Sequence, residues 1–151
     1  MEIAVLALGC FWGPEIKFGK LNGIISTEVG YCGGNSQNTT YKEVCTSKTN
    51  HAEVVKLKFD PKIISYEEIL DHFFKIHDST TLNSQGPDFG TQYRSEIFYL
   101  NSNQRNIAEK IIEKENRRLS GKVVTKLSII KNYCRAEEYH QQYLKKKIKC
   151  H

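Results

Sequence analysis

The chain is poor in the features that export a protein or tie it together covalently. Its first apolar run, Ile3-Ala4-Val5-Leu6-Ala7-Leu8, is too short for a signal segment or a membrane span. No basic stretch precedes it, so a cytoplasmic location is expected. The five cysteines, Cys10, Cys32, Cys45, Cys134 and Cys150, are odd in number, and none is spaced C-x-x-C. A disulfide framework is therefore not expected. Cys150-His151, and Cys45 with His51, lack the second ligand pair of a structural zinc site, so no metal is expected. There is no internal repeat, low-complexity segment or linker. The expectation is one catalytic domain over 1–151, with 145–151 a short basic tail.

Charged residues make up 26% of the chain and apolar ones 39%, which is ordinary for a soluble globular protein. The net charge of +5 is uneven. Lys131, Arg135, Lys145, Lys146, Lys147 and Lys149 face only Glu137 and Glu138 in the last stretch, a net +4 from six bases and two acids. This reads as a solvated helix face and tail. No nucleic-acid reader motif accompanies it, so neither nucleic acid nor membrane is an expected partner, and a monomer is expected.

Strands and helices alternate along the chain. Strands are expected at 3–8, 24–29, 53–59, 95–100 and 123–130. Ser65-Tyr66-Glu67-Glu68 has the form of a capping box, and the helix after it carries Ile69, Phe73 and Ile76 on one stripe. Ser102 is expected to cap a long helix that Gly121 stops, and a last helix is expected over 136–147. Two long polar loops, 30–50 and 77–90, interrupt the pattern, and long ordered loops are often functional. The helices are too few to cover both faces of a sheet. An α/β (α+β) fold follows, a two-layer sandwich rather than a doubly wound sheet.

Within this frame, Cys10 lies in Gly9-Cys10-Phe11-Trp12-Gly13, where the first strand ends and a helix begins. Backbone N–H groups and the helix dipole favour an anion there, so the thiol pKa is expected to fall. Phe11 and Trp12 offer an aromatic wall for an apolar substrate group. An inert buried cysteine at a tight turn is the alternative. In the strand 53–59, Val55, Leu57 and Phe59 share one face by the two-residue period, and Glu53 falls on that face. Its carboxyl is either solvated at the strand end or desolvated and able to hold a proton near neutral pH, as a general acid must. Tyr41, Asp88 and Tyr93 sit in or beside the two long loops. Singly each reads as a packing or turn residue, and together they suggest one polar site with Cys10.

These segments resemble the A-type peptide methionine sulfoxide reductases. The likeness is carried, in order, by Gly9-Cys10-Phe11-Trp12-Gly13, Gly30-Tyr31-Cys32-Gly33-Gly34, Thr40-Tyr41-Lys42-Glu43-Val44-Cys45, His51-Ala52-Glu53-Val54-Val55, Gly90-Thr91-Gln92-Tyr93-Arg94-Ser95 and Tyr139-His140-Gln141-Gln142-Tyr143-Leu144. The resemblance implies a two-layer α/β sandwich with a central mixed, ferredoxin-like sheet, and an enzyme that reduces the S epimer of methionine sulfoxide, in proteins or as the free amino acid, in repair of oxidative damage. By the same resemblance Cys10 attacks sulfur and is left as a sulfenic acid, and Glu53 donates the proton. Tyr41 and Tyr93 hold the oxygen, Asp88 positions the site or its water, and Phe11 and Trp12 hold the S-methyl group. No bound cofactor is implied. An external thiol, thioredoxin or else glutaredoxin or glutathione, regenerates the enzyme.

The family often carries its resolving cysteines on a glycine-rich C-terminal tail, and no glycine-rich stretch follows Leu144 in this sequence, so such a tail is not expected to supply the thiol. Cys150, among lysines and near the family's usual first resolving position, is the expected resolving thiol. Cys134 is the runner-up, Cys32 and Cys45 are expected bystanders, and direct resolution by an external thiol such as glutathione or glutaredoxin is the remaining alternative. A peroxide reductase using Cys10 and a non-catalytic peptide- or nucleic-acid-binding module are the competing readings. Activity on peroxide alone, or binding that survives Cys10→Ser, would mark them.

Overall fold

The computed structural model describes residues 1–46 and 48–149. Eight strands and five α-helices follow one another as β1 (Glu2–Leu8), α1 (Trp12–Gly19), β2 (Ile24–Cys32), α2 (Tyr41–Cys45), β3 (Ala52–Phe59), α3 (Tyr66–Ile76), β4 (Ser84–Gln85), β5 (Asp88–Phe89), β6 (Ser95–Tyr99), α4 (Ser102–Arg118), β7 (Lys126–Ile129), β8 (Cys134–Arg135) and α5 (Tyr143–Lys149). Two 3-10 turns, Thr91–Tyr93 and Glu138–His140, complete the described elements.

Six strands form one sheet in the order β7-β6-β1-β3-β2-β8. Only β6 and β7 run parallel, so the sheet is mixed. The sequence β1-α1-β2-β3-α3-β6 is the split β-α-β of the ferredoxin-like fold. β3 is inserted between β1 and β2, and β6 closes on the far side of β1. β1 is central and covered on both faces, which is why it is a continuous apolar run rather than an alternating one.

Helices α1, α3 and α4 cover one face of the sheet. Their core joins Leu6, Phe18, Leu57, Phe59, Ile69, Phe73, Ile97 and Ile111. Each such side chain, fully buried, contributes roughly 1.5–3 kcal/mol. The opposite face buries Val5, Ala7, Val54 and Phe98 beneath Ile130 and Tyr133 of the chain that follows β7. The Ser65 capping box forms as expected, with Ser65 and Glu68 satisfying each other's backbone N–H groups.

The structure revises several boundaries. Asn101, not Ser102, caps α4, because its side chain accepts from the Gln104 N–H. The loop expected at 30–50 loses its first residues to β2 and contains α2. The helix expected over 136–147 is broken. Residues 137–142 run as a strap with one 3-10 turn, and α5 starts only after Gln142, whose φ is 55°. Residues 145–149, expected to begin a tail, belong to α5.

Candidate active site

Cys10 follows a sharp turn at Gly9, whose φ of 97° is in the left-handed region. A Cβ there would lie 2.8 Å from Cβ of Gln85, so the β4–β5 hairpin rests directly on the backbone before Cys10. Gly9→Ala is expected to cost roughly 1–3 kcal/mol of backbone strain and to lift the hairpin that carries Asp88. A lower denaturant midpoint at unchanged slope, with reduced turnover, is the check.

The Cys10 thiol is half-buried. Burial pushes it up to about 11, the Trp12 backbone N–H opposes the rise, and the charges of Glu53 and Asp88 add to it. The expected depression is thus overturned. The amide at the helix start does act on the sulfur, but desolvation and two carboxylates outweigh it.

Glu53 is 1% exposed. It comes from β3, where it pairs with Tyr31 of β2. The Phe11 backbone N–H donates to Oε1 at 3.3 Å and the Gln92 side-chain amide donates to Oε2 at 3.0 Å. Burial holds this carboxyl up to about 7, against those two hydrogen bonds and with help from Asp88. Of the two readings that strand parity left open, the structure takes the desolvated one.

The two tyrosines meet beside the acid. The Tyr41 hydroxyl neighbours the Tyr93 hydroxyl and the Cys45 thiol. Burial pushes Tyr93 up to about 12 and Tyr41 higher still, so both remain hydroxyl donors at neutral pH. The Gln92 amide reaches the Cys45 sulfur at 3.5 Å as well as Glu53, which places Cys45 at the edge of this polar cluster.

An aromatic group adjoins it. Phe11 is buried and packs on Tyr31 and His140 at ring distances of 5.7 and 5.2 Å. Trp12 stacks on Tyr143 at 3.9 Å, and its indole N–H donates to Nδ1 of His140 at 3.0 Å. That bond assigns the neutral His140 ring its proton at Nε2. Burial lowers the His140 pKa, which keeps the ring neutral.

The strap that carries His140 is pinned along its length. Glu137 accepts from the Tyr31 hydroxyl at 2.8 Å and from the Tyr41 backbone N–H at 2.9 Å. Gln141 bonds both backbone groups of Val29, at 2.9 and 2.8 Å. Buried Glu15 of α1 accepts from the Gln142 backbone N–H at 2.7 Å. On the other side, the buried Arg94–Glu96 pair, 2.6 Å apart, ties the Thr91–Tyr93 turn to the sheet through a 2.8 Å bond from Arg94 to the Thr91 carbonyl.

Cys10, Glu53, Asp88, Tyr41, Tyr93 and Phe11 thus converge, with Trp12 at the flank. Gln92, Glu137 and His140 had not been singled out as site residues, although Gln92 and His140 stand inside matched segments. Cys134 lies on β8 opposite Tyr31, with its thiol toward the Thr39 carbonyl at 3.7 Å. Cys32 is buried and donates to the Lys131 carbonyl at 3.2 Å. Cys150 lies outside the described residues. Among the described residues, no three His, Cys, Asp or Glu side chains are grouped to hold a metal ion, and no helix is long and apolar enough to cross a membrane.

A ferredoxin-like sheet that sets a thiol beside a buried carboxyl near its neutral form, next to aromatic rings, defines a class of protein fitted for thiol-based redox chemistry. The comparisons narrow the class. The family model described as peptide methionine sulfoxide reductase matches residues 2–151, and the chain belongs to that family. It is 76% identical over 147 residues to the peptide methionine sulfoxide reductase MsrA of Pelagibacter ubique, covering 97% of this chain and 100% of the relative. Reduced Mxr1 from Saccharomyces cerevisiae superposes with a TM-score of 0.91 at 42% identity, covering 97% of this chain and 86% of that one. Mxr1 in complex with Trx2 matches with a TM-score of 0.66 at 30% identity, covering 94% and 84%.

Proposed function

We infer that this chain reduces the S epimer of methionine sulfoxide to methionine, with Cys10 as nucleophile and Glu53 as proton donor. The observation that carries the reading is Glu53 itself, a buried acid pushed up to about 7 and set against a thiol. Cys10 sulfur attacks the sulfoxide sulfur while Glu53 protonates the oxygen, which would otherwise be too basic to leave. The protonated oxygen, as hydroxyl or water, then bonds to the Cys10 sulfur as the bond between the two sulfurs breaks, so methionine departs and Cys10 is left as a sulfenic acid. The substrate sulfur gains the two electrons that Cys10 loses. The Tyr41 and Tyr93 hydroxyls, prepositioned as donors, hold the oxygen as charge develops on it. Asp88 sits in the field of both reacting groups and orders them or a water. Phe11 and Trp12 take the S-methyl group.

A second thiol then condenses with the sulfenic acid and releases water, and a dithiol reduces the resulting disulfide. Cys150 is the proposed resolving thiol, with Cys134 second. The Mxr1–Trx2 complex supports a thioredoxin-like reductant, and glutaredoxin or glutathione would fit the same chemistry. Oxidised proteins and free methionine sulfoxide are the proposed substrates. Turnover of separated sulfoxide epimers with dithiothreitol tests the reading. Consumption of S and not of R supports it, and the reverse preference overturns it.

Between about 7 and about 11, Cys10 and Glu53 share one negative charge, and it rests mainly on Glu53. The reacting arrangement has it on Cys10 with the proton on Glu53. A sulfoxide oxygen favours that arrangement, because only the neutral acid can donate to it. Alkylation of free Cys10 by iodoacetamide is therefore expected to be slow at neutral pH and to accelerate as pH rises toward about 11. A rate that levels off below about 8.5, the pKa of a free cysteine, contradicts this.

A further inference from the structure

Gln92 is 4% exposed and lies in the Thr91–Tyr93 turn. Its side-chain nitrogen meets two acceptors, Glu53 Oε2 at 3.0 Å and the Cys45 sulfur at 3.5 Å. An amide nitrogen carries two N–H groups, so it serves both. The reversed amide would set its oxygen against an ionised carboxylate, so the nitrogen side belongs to Glu53. The turn that carries it is held at both ends. The Tyr93 N–H donates to the Gly90 carbonyl at 3.0 Å, and the Arg94 guanidinium donates to the Thr91 carbonyl at 2.8 Å. Gln92 thus reaches the acid from a fixed backbone.

The two oxygens of Glu53 are not equivalent. Oε1 accepts the longer bond, 3.3 Å, from the backbone N–H of Phe11, the residue next to Cys10. Oε2 accepts the shorter one from Gln92. In a protonated carboxyl one oxygen carries the proton and the carbonyl oxygen is the better acceptor. The closer donor therefore selects Oε2 as the carbonyl oxygen and leaves the proton on Oε1. Once that proton has moved to the sulfoxide, the same amide faces a full carboxylate, and a hydrogen bond to an ionised acceptor is about twice as strong. An interaction that tightens as the proton leaves lowers the barrier to transfer. The titratable groups that share a field with Glu53 are Cys10, Tyr31, Tyr41, Asp88 and Tyr93. None of these five is a cation, so the support for its charge comes from the two N–H donors.

We propose that Gln92 is a positioning residue of the reduction, whose amide fixes Oε2 of Glu53 as an acceptor, directs the acid proton to Oε1 beside Cys10, and stabilises the carboxylate that proton transfer leaves. This rests on the reading of Glu53 as the proton donor.

Gln92→Met keeps the volume and removes the donor. The readout is the pH dependence of kcat/KM for free S-sulfoxide with dithiothreitol. Its acid limb marks the passage of Cys10 and Glu53 to their singly ionised state, at about 7 in the unaltered protein. Removing a donor to the ionised form should move that limb up by roughly one unit and lower kcat roughly ten- to a hundredfold. In a Glu53→Gln background the same replacement should cost no further turnover, because Gln92 acts through Glu53. If Gln92→Met does not fold, Gln92→Asn must show the same rise, since its amide stops one carbon–carbon bond, about 1.5 Å, short of Oε2. An unmoved acid limb, or an additive loss in the Glu53→Gln background, overturns the proposal. So does a limb that moves down, which would mean that the Gln92 oxygen accepts from the acid. Full turnover by Glu53→Gln alone would instead remove the underlying reading of the acid.

Discussion

Cys10→Ser is expected to reduce methionine release to the uncatalysed background, with the folded protein intact. A serine oxygen is a poor nucleophile toward sulfur and cannot carry the oxygen away as a stable sulfenic acid. The replacement is nearly isosteric at a half-buried position, so thermal unfolding should shift by no more than about 1 kcal/mol. The loss is therefore chemical and not structural. Turnover of S-sulfoxide by this variant with dithiothreitol is the readout. Substantial residual activity would show that another group attacks the substrate.

Glu53→Gln carries the second large effect, and its three readouts move in different directions. Turnover should fall by about 10²–10⁴-fold, the usual contribution of a positioned general acid. Alkylation of Cys10 should become faster, because one of the charges that raises the thiol is gone, although burial still holds it above the ordinary value. Stability in alkaline buffer should increase. The sign follows from the direction of the shift. Glu53 goes from an ordinary 4.5 to about 7 in the fold, so its contribution is fully present below the unfolded value and is lost as pH rises through about 7. Above that, keeping the buried carboxylate ionised costs the fold up to about 3 kcal/mol, which an amide avoids. Gln92 turns its own amide to meet the new one. A variant that is slower, more alkylation-prone and more stable at high pH is hard to produce by simple misfolding. Slower turnover with slower alkylation would count against the assignment.

Much of this was legible along the chain, and the gaps have physical causes. The apolar run of β1 and the alternation of β3 were enough to place Glu53 on the core face. Alternation has no knowledge of what lies over a strand end, so solvated and desolvated readings stood level until the Phe11 N–H and the Thr91–Tyr93 turn were seen to close over the carboxyl. The Cys10 thiol departs from its local expectation for a related reason, because its burial is set by the fold. The helix start next door is local, while Glu53 and Asp88 arrive from far along the chain.

The strap at 137–142 misled for the opposite reason. Its residues suit a helix, but Glu137, His140, Gln141 and Gln142 each find a distant partner, in Tyr31 and Tyr41, Trp12, Val29, and Glu15. Those bonds outweigh a propensity worth only tenths of a kcal/mol per residue. The same long-range pairing explains why Glu137 and Gln92 were not singled out. A Glu or Gln gives no local sign that its partner is a backbone amide or a buried acid on another element.

The central claim is that the sulfoxide oxygen passes to the Cys10 sulfur. Mass spectrometry after one equivalent of methionine sulfoxide, without reductant and with dimedone present, tests it directly. The account predicts one methionine per chain and a mass increase that maps to Cys10, either as the trapped sulfenic acid or as a disulfide whose partner is then named. Methionine released while Cys10 remains an unmodified thiol would contradict it.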